Sequence, residues 1–167
     1  MKISVITVCY NSENTIRHCI QSVLTQTHKD IEHIIVDGAS DDNTLRVIEE
    51  LKTDNTIVIS EKDSGLYDAM NKGLRNATGD IVGILNSDDF FHRNTSLEEI
   101  VEAFDQNIDI LFGNVEYVSQ FASDKIRRKI ALRKFKPWHL RFGWMPPHPA
   151  TFLKKHVVDR VGFYDTS

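Results

Sequence analysis

The chain predicts an α/β fold built on a mainly parallel sheet with helices on both faces. Short apolar, β-branched runs alternate with segments whose apolar residues recur at helical spacing. Each pair of runs is separated by room for one helix, the spacing of βαβ crossovers. No internal repeat, low-complexity tract or long linker breaks the pattern. The 167 residues therefore read as one continuous domain, long enough to bury a core without disulfides or a structural metal.

Residues 3–8 are a β-branched apolar run and predict a buried first strand. Asn11-Ser12-Glu13-Asn14 then offers capping side chains, and Ile16, Cys19, Ile20, Val23 and Leu24 follow at helical spacing. Residues 33–36 predict a second strand, ended by Asp37-Gly38-Ala39-Ser40-Asp41-Asp42. The next helix turns Leu45, Ile48 and Leu51 inward, with Ser40, Asp41 and Asp42 as its capping residues. Residues 56–59 predict strand three, and residues 66–74 a helix after a turn at Gly65. Residues 80–85 predict strand four. Ser96-Leu97-Glu98-Glu99 has the form of a capping box opening a helix that runs to Phe104. Residues 109–112 predict strand five, extended through Val118. Beyond residue 119 the pattern changes to a basic hairpin or helix. Gly143-Trp144-Met145-Pro146-Pro147-His148-Pro149 places three prolines in four positions, which predicts a fixed extended loop. The sequence stops just after the turn-like Gly162, and we expect it to be a fragment.

Composition narrows the functional classes. Hydrophobic residues at 41% and charged residues at 26% describe an ordinary globular protein. A formal charge of −4 gives no footprint for nucleic acid. No apolar run has the length of a membrane span, and Met1-Lys2 leads directly into a strand. The cytoplasm is the expected compartment, with Cys9 and Cys19 reduced and structural. Charge is uneven, however: residues 125–141 carry eight of the 20 Lys and Arg residues and no acid. Phe135, Trp138, Leu140 and Phe142 interleave with those bases. A solvated face is the ordinary reading of such a run; peripheral contact with a membrane surface through residues 125–142, at its inner face, is the sharper one.

In an open α/β sheet, ligands sit beyond the carboxyl ends of the strands. Those ends carry Cys9-Tyr10-Asn11, Asp37-Gly38-Ala39-Ser40, Glu61-Lys62-Asp63 and Asn86-Ser87-Asp88-Asp89, and three of the four are acidic. No GxGxxG or GxxxxGK[ST] loop follows the first strand, so phosphate is not held by a glycine-rich loop. An acidic rim holds phosphate only through a cation, and Asp88 or Asp89 suits Mn2+ or Mg2+. His18, His28, His33 and His92 lack ligand spacing, which argues against zinc. Trp144 suits either the C–H face of a sugar ring or core packing.

Thr7-Val8-Cys9-Tyr10-Asn11, Val36-Asp37-Gly38-Ala39-Ser40-Asp41, Asn86-Ser87-Asp88-Asp89 and His148-Pro149-Ala150-Thr151-Phe152 resemble, in order and over nearly the whole chain, the serial motifs of family 2 glycosyltransferases. The resemblance implies a GT-A fold, a Rossmann-like mainly parallel sheet with a smaller C-terminal acceptor-side region. Residues 1–118 would form the nucleotide-sugar part and residues 119–167 the acceptor-side part. It also implies inverting transfer of a sugar from a nucleotide-diphosphate sugar, UDP-linked, to a glycan or lipid-linked acceptor in bacterial surface-polysaccharide synthesis.

The implied roles attach to particular positions. Thr7 and Tyr10 fall where the first strand contacts the nucleotide. Asp37 matches the carboxylate that accepts a hydrogen bond from the base, and Asp63 helps hold base or ribose. Lys72 lies on the helix bordering the nucleotide. Asp88 would contact ribose or sugar, and Asp89 would bind the metal; Asn86 departs from the family's first Asp in this motif. The general base is expected beyond Ser167, with His148 a contributor near the diphosphate or acceptor. A silent nucleotide-sugar-binding module and a magnesium-dependent nucleotidyltransferase are the alternatives, and the missing basic glycine-rich loop weighs against the second.

Overall fold

A computed structural model describes residues 1–105, 107–119, 122–130, 136–143 and 146–166. The chain runs β1 (Ile3–Cys9), α1 (Ile16–Leu24), β2 (Ile31–Asp37), α2 (Thr44–Leu51), β3 (Thr56–Ser60), α3 (Leu66–Asn76), β4 (Ile81–Ile84) and α4 (Ser96–Ala103). It continues with β5 (Ile110–Phe112), β6 (Val115–Ser119), β7 (Ala122–Ile130), β8 (Thr151–Lys154) and α5 (Lys155–Val161), with 3₁₀ turns at Pro137–Phe142 and His148–Ala150.

The main sheet has the order β3-β2-β1-β4-β8-β5. β1 through β4 are parallel, each crossover carrying one helix, while β8 runs antiparallel between β4 and β5. Alternation along β1 sorts its side chains between two cores. Ile3 and Val5 face Cys19, Val23, Leu97 and Phe104 from α1, α4 and the loop after α4. Ile6 and Val8 face Ala69, Met70 and Leu74 of α3 and Val158 of α5. Beside β2, the pair α1 and α2 seals Ile35 against Ile16, Ile20, Val47 and Ile48. The central strand is therefore buried on both faces, as its unbroken apolar run requires.

Three expectations change. Strand five does not continue through Val118: Gly113 and Asn114 interrupt it, and β6 instead pairs with β7 in a separate two-stranded sheet. The capping box does not close on Ser96. Thr95 precedes the helix and its hydroxyl donates to Glu99 (2.8 Å), while the Ser96 hydroxyl accepts from the Arg93 N–H (3.3 Å). His148 lies in a 3₁₀ turn rather than an extended loop. Proline at the start of that turn supplies the required φ and loses no hydrogen bond there. Among the described residues no helix is long and apolar enough to cross a membrane.

Candidate functional site

Because β1 to β4 are parallel, their carboxyl ends open on one rim, and the loops beyond them interlock. The Ser40 hydroxyl accepts from the Asn11 N–H (2.9 Å), and the Asn11 side chain accepts from the Asp41 N–H (3.0 Å). Ser12 Oγ lies 2.9 Å from Ser87 Oγ, joining the loop after β1 to the acidic turn after β4. Asn11 and Ala39, the second residues past β1 and β2, both adopt the left-handed conformation (φ 47° and 62°). That is ordinary for Asn and costly for Ala, so the rim carries backbone strain at Ala39.

Asp37 ends β2 with no exposed surface. Its Oδ1 accepts from the Ser40 hydroxyl, and its Oδ2 from the Ser40 N–H (3.1 Å) and the Ser60 hydroxyl (2.7 Å). Both oxygens are engaged by the protein's own donors, so Asp37 ties the ends of β2 and β3 together beneath the rim. Thr7 is also fully buried, with Oγ1 2.9 Å from His33 Nε2. The structure places it in the core and not on the rim.

Tyr10, by contrast, is 62% exposed at the rim. A Cβ on Gly38 would lie 2.7 Å from Asp63 Oδ2 and 3.4 Å from the Tyr10 ring. Glycine at 38 thus lets an aromatic face and a carboxylate approach the same stretch of backbone. Asp63 is held there by the Gly65 N–H, which donates to Oδ1 (2.9 Å). Lys72 does not reach out as a free cation. Its ammonium pairs with Glu61 (3.0 Å) and Asp68 (3.7 Å) and donates to the Lys62 carbonyl (2.7 Å). It fastens the loop that presents Asp63.

The acidic turn is anchored from several sides. The Cys19 thiol donates to the Asn86 carbonyl (3.5 Å), and the Phe91 N–H donates to Ser22 Oγ (3.2 Å). The His18 ring packs 4.2 Å from Phe90. Asp88 is exposed and Asp89 half-buried. Burial pushes the Asp89 carboxyl above its ordinary range and the Asp88 charge adds to this, while a bond from Asn86 Nδ2 (3.2 Å) opposes both. Asn86 Oδ1 is buried without a hydrogen-bond partner among the described residues. Adjacent hard oxygens, one of them desolvated and repelled by its neighbour, fit a divalent cation. Among the described residues no three His, Cys, Asp or Glu side chains converge on one point. Mg2+ and Mn2+ sites completed by phosphate need only one or two carboxylates.

His148 belongs to an aromatic cluster. Its ring meets Tyr164 at 5.7 Å, and Tyr164 stacks on Tyr67 at 5.3 Å. Burial lowers the His148 pKa, so the ring is neutral near pH 7, and its Nε2 is buried without a partner among the described residues. Asn71 builds this cluster by clasping the Tyr164 backbone, donating to its carbonyl (2.9 Å) and accepting from its N–H (2.8 Å). His148 and Tyr164 also line an apolar cavity of about 270 Å³ with Leu74, Ile84, Leu153 and Val158. No local pattern announces Ser12, Ser60 or Asn71, because their partners lie 75, 23 and 93 residues away. Both cysteines are free and buried, and burial raises both thiols, so neither is a nucleophile. Trp144 and Phe135 lie outside the described residues.

Three comparisons agree with this geometry. The sequence profile described as Glycosyl transferase family 2 matches residues 4–160. An uncharacterised glycosyltransferase of Mycobacterium tuberculosis is 31% identical over 168 residues, covering 98% of this chain and 62% of that protein. The Escherichia coli protein WfgD, named as a UDP-Glc:α-D-GlcNAc-diphosphoundecaprenol β-1,3-glucosyltransferase, is 33% identical over 118 residues, covering 70% of this chain and 47% of its own length. The crystal structure of S. aureus TarS 1-349 superposes with a TM-score of 0.77 at 24% identity, covering all of this chain and 51% of that one. The chain therefore spans between about half and two thirds of the length of these three relatives.

Proposed function

The chain belongs to glycosyl transferase family 2 and carries the GT-A fold, and from that premise we propose that the protein moves a sugar from a UDP-sugar to a glycan or lipid-linked acceptor with inversion. One observation carries the donor reading: the bare backbone at Gly38 lets the Asp63 carboxylate and the exposed Tyr10 ring come together just past the end of β2, on the same rim as the acidic turn. A planar base can stack on the solvent-facing side of Tyr10, with its N–H donating to the Asp63 carboxylate beside it. Asp37, already engaged by Ser40 and Ser60, braces this corner of the rim from below.

Asp88 then meets ribose or the sugar, and Asp89, turned by Asn86, holds the cation. A bound Mn2+ or Mg2+ neutralises the charge that builds on the departing diphosphate. The interlocked loops give this set a fixed geometry before the donor arrives, which lowers the ordering cost of binding. Residues 1–118 form the donor part in this reading and residues 119–167 the acceptor part. The lipid-diphosphate acceptor in the name of WfgD supports a lipid-linked acceptor and a place in surface-glycan assembly at the inner face of the membrane.

Titration calorimetry with UDP, with and without Mn2+, followed by a UDP-sugar turnover assay, tests the proposal. Mn2+-dependent UDP binding that disappears in Asp89→Ala is the expected result. Binding without turnover would favour a nucleotide-sugar-binding module, and absence of UDP binding would overturn both readings.

A further inference from the structure

The 3₁₀ turn Pro137–Phe142 presents two large aromatic side chains to solvent. Trp138 is 53% exposed and Phe142 80% exposed. They meet edge-on at 5.8 Å, with the His139 ring 4.2 Å from Trp138, so both belong to one tip. Lys136 and Arg141 are exposed on either side, and no carboxylate among the described residues pairs with them. The cationic setting is regional: residues 125–141 hold eight bases and no acid in a chain whose net charge is −4.

Paired aromatics on one tip are too apolar for a purely solvated loop. Their charge environment discriminates among occupants. A symmetric contact with a second copy would bring the same cations face to face and gain nothing from them. An anionic bilayer offers what both chemistries require. Indole and phenyl rings settle at the boundary between headgroups and acyl chains, and Lys and Arg remain at the level of the lipid phosphates. Six residues in a short turn can dip into that boundary without crossing it.

We propose that Pro137–Phe142 is a membrane-docking tip for anionic lipid, with Trp138 and Phe142 entering the interface and Lys136 and Arg141 pairing with headgroup phosphates. The tip names the surface through which the protein would reach a lipid-linked acceptor. It rests on the membrane-facing part of the proposed function but not on donor chemistry, so either can fail without the other.

Co-sedimentation with vesicles of phosphatidylcholine alone, and of phosphatidylcholine mixed with phosphatidylglycerol, tests it in the absence of any donor. Binding is expected only to the anionic vesicles and is expected to weaken with salt. Lys136→Gln and Arg141→Gln should each lower the partition coefficient about fivefold. Trp138→Ala and Phe142→Ala should each lower it about tenfold. In a Trp144→Phe background, Trp138 emission should shift to the blue on vesicle addition, and UDP affinity should be unchanged in every variant. Equal binding to neutral vesicles, or aromatic variants that bind like the parent, would overturn the proposal. So would a lipid-free dimer that Phe142→Ala dissolves, since the tip would then belong to a second copy.

Discussion

Ala39 and Asp63 show how much of the rim depends on single side chains. Ala39 holds φ 62° next to Gly38, a conformation that costs an L-residue with a Cβ roughly 1–2 kcal/mol. Ala39→Gly removes that strain but loosens the unfolded chain, leaving a net gain of about 0.5 kcal/mol. Thermal melting should rise by about 1–2 °C, and a fall would show that the Ala39 methyl contributes packing worth more than the strain. Asp63→Asn tests base recognition. It keeps the acceptor for Gly65 but replaces one carboxylate oxygen facing Gly38 with a donor or a neutral acceptor, so UDP affinity should drop about tenfold or more with Mn2+ affinity retained. Asp37→Asn should instead lower the melting temperature, because it disturbs bonds to Ser40 and Ser60. If Asp37→Asn weakened UDP binding more than Asp63→Asn without loss of stability, the two roles would have to be exchanged. Sequence could name both acids. It could not say which faced inward, since Ser60 arrives from the neighbouring strand.

Among the elements, α3 is the one whose placement controls most of the site, because it carries Lys72 and Asn71 and packs on β1. Gly73 makes that packing possible: a Cβ there would stand 2.3 Å from Ile6 Cγ2, a stiff, fully buried side chain. In an ordinary helix interior Gly→Ala gains about 1 kcal/mol. Here Gly73→Ala should reverse sign and cost about 1–2 kcal/mol as α3 is pushed off the sheet, read as a lower denaturation midpoint at unchanged m value. A stabilised variant would refute the close approach. The helices of this domain were legible because Cys19, Ile20 and Val23, or Met70 and Leu74, repeat at a period that survives any tertiary context. Residues 151–161 were not. β8 has four residues and α5 seven, too few for periodicity to distinguish strand, helix and loop. β8 also enters the sheet antiparallel between β4 and β5, which no local signal encodes.

For the whole molecule, the buried polar groups set an acid limit. Burial lowers the His33 pKa from 6.5 to about 4, so the folded protein holds this ring neutral while the unfolded chain accepts a proton more readily. Its contribution is fully present above pH 6.5 and is lost as pH falls toward 4, amounting to about 3 kcal/mol over that window. Burial alone would raise Glu32, but bonds from Lys2, Ser4 and Thr78 outweigh it and hold the carboxyl at about 2. That contribution is present above pH 4.5 and fades as pH drops toward 2. Melting temperature should therefore fall in two stages on acidification, and His33→Gln should flatten the upper stage while leaving the lower one; an unchanged upper slope would refute the assignment to His33. By itself the sequence determined the order of strands and helices as far as α4, the acidic turn after the fourth strand, and the family, because periodicity and motif spacing are local properties of the chain. Only the tertiary structure showed that Asp37 and Thr7 are buried and bonded to neighbouring strands and that Lys72 pairs with Glu61 and Asp68, while Tyr10 stands exposed beside Gly38 and Asp63. A side chain's direction and the satisfaction of its hydrogen bonds depend on partners that strand pairing brings from tens of residues away.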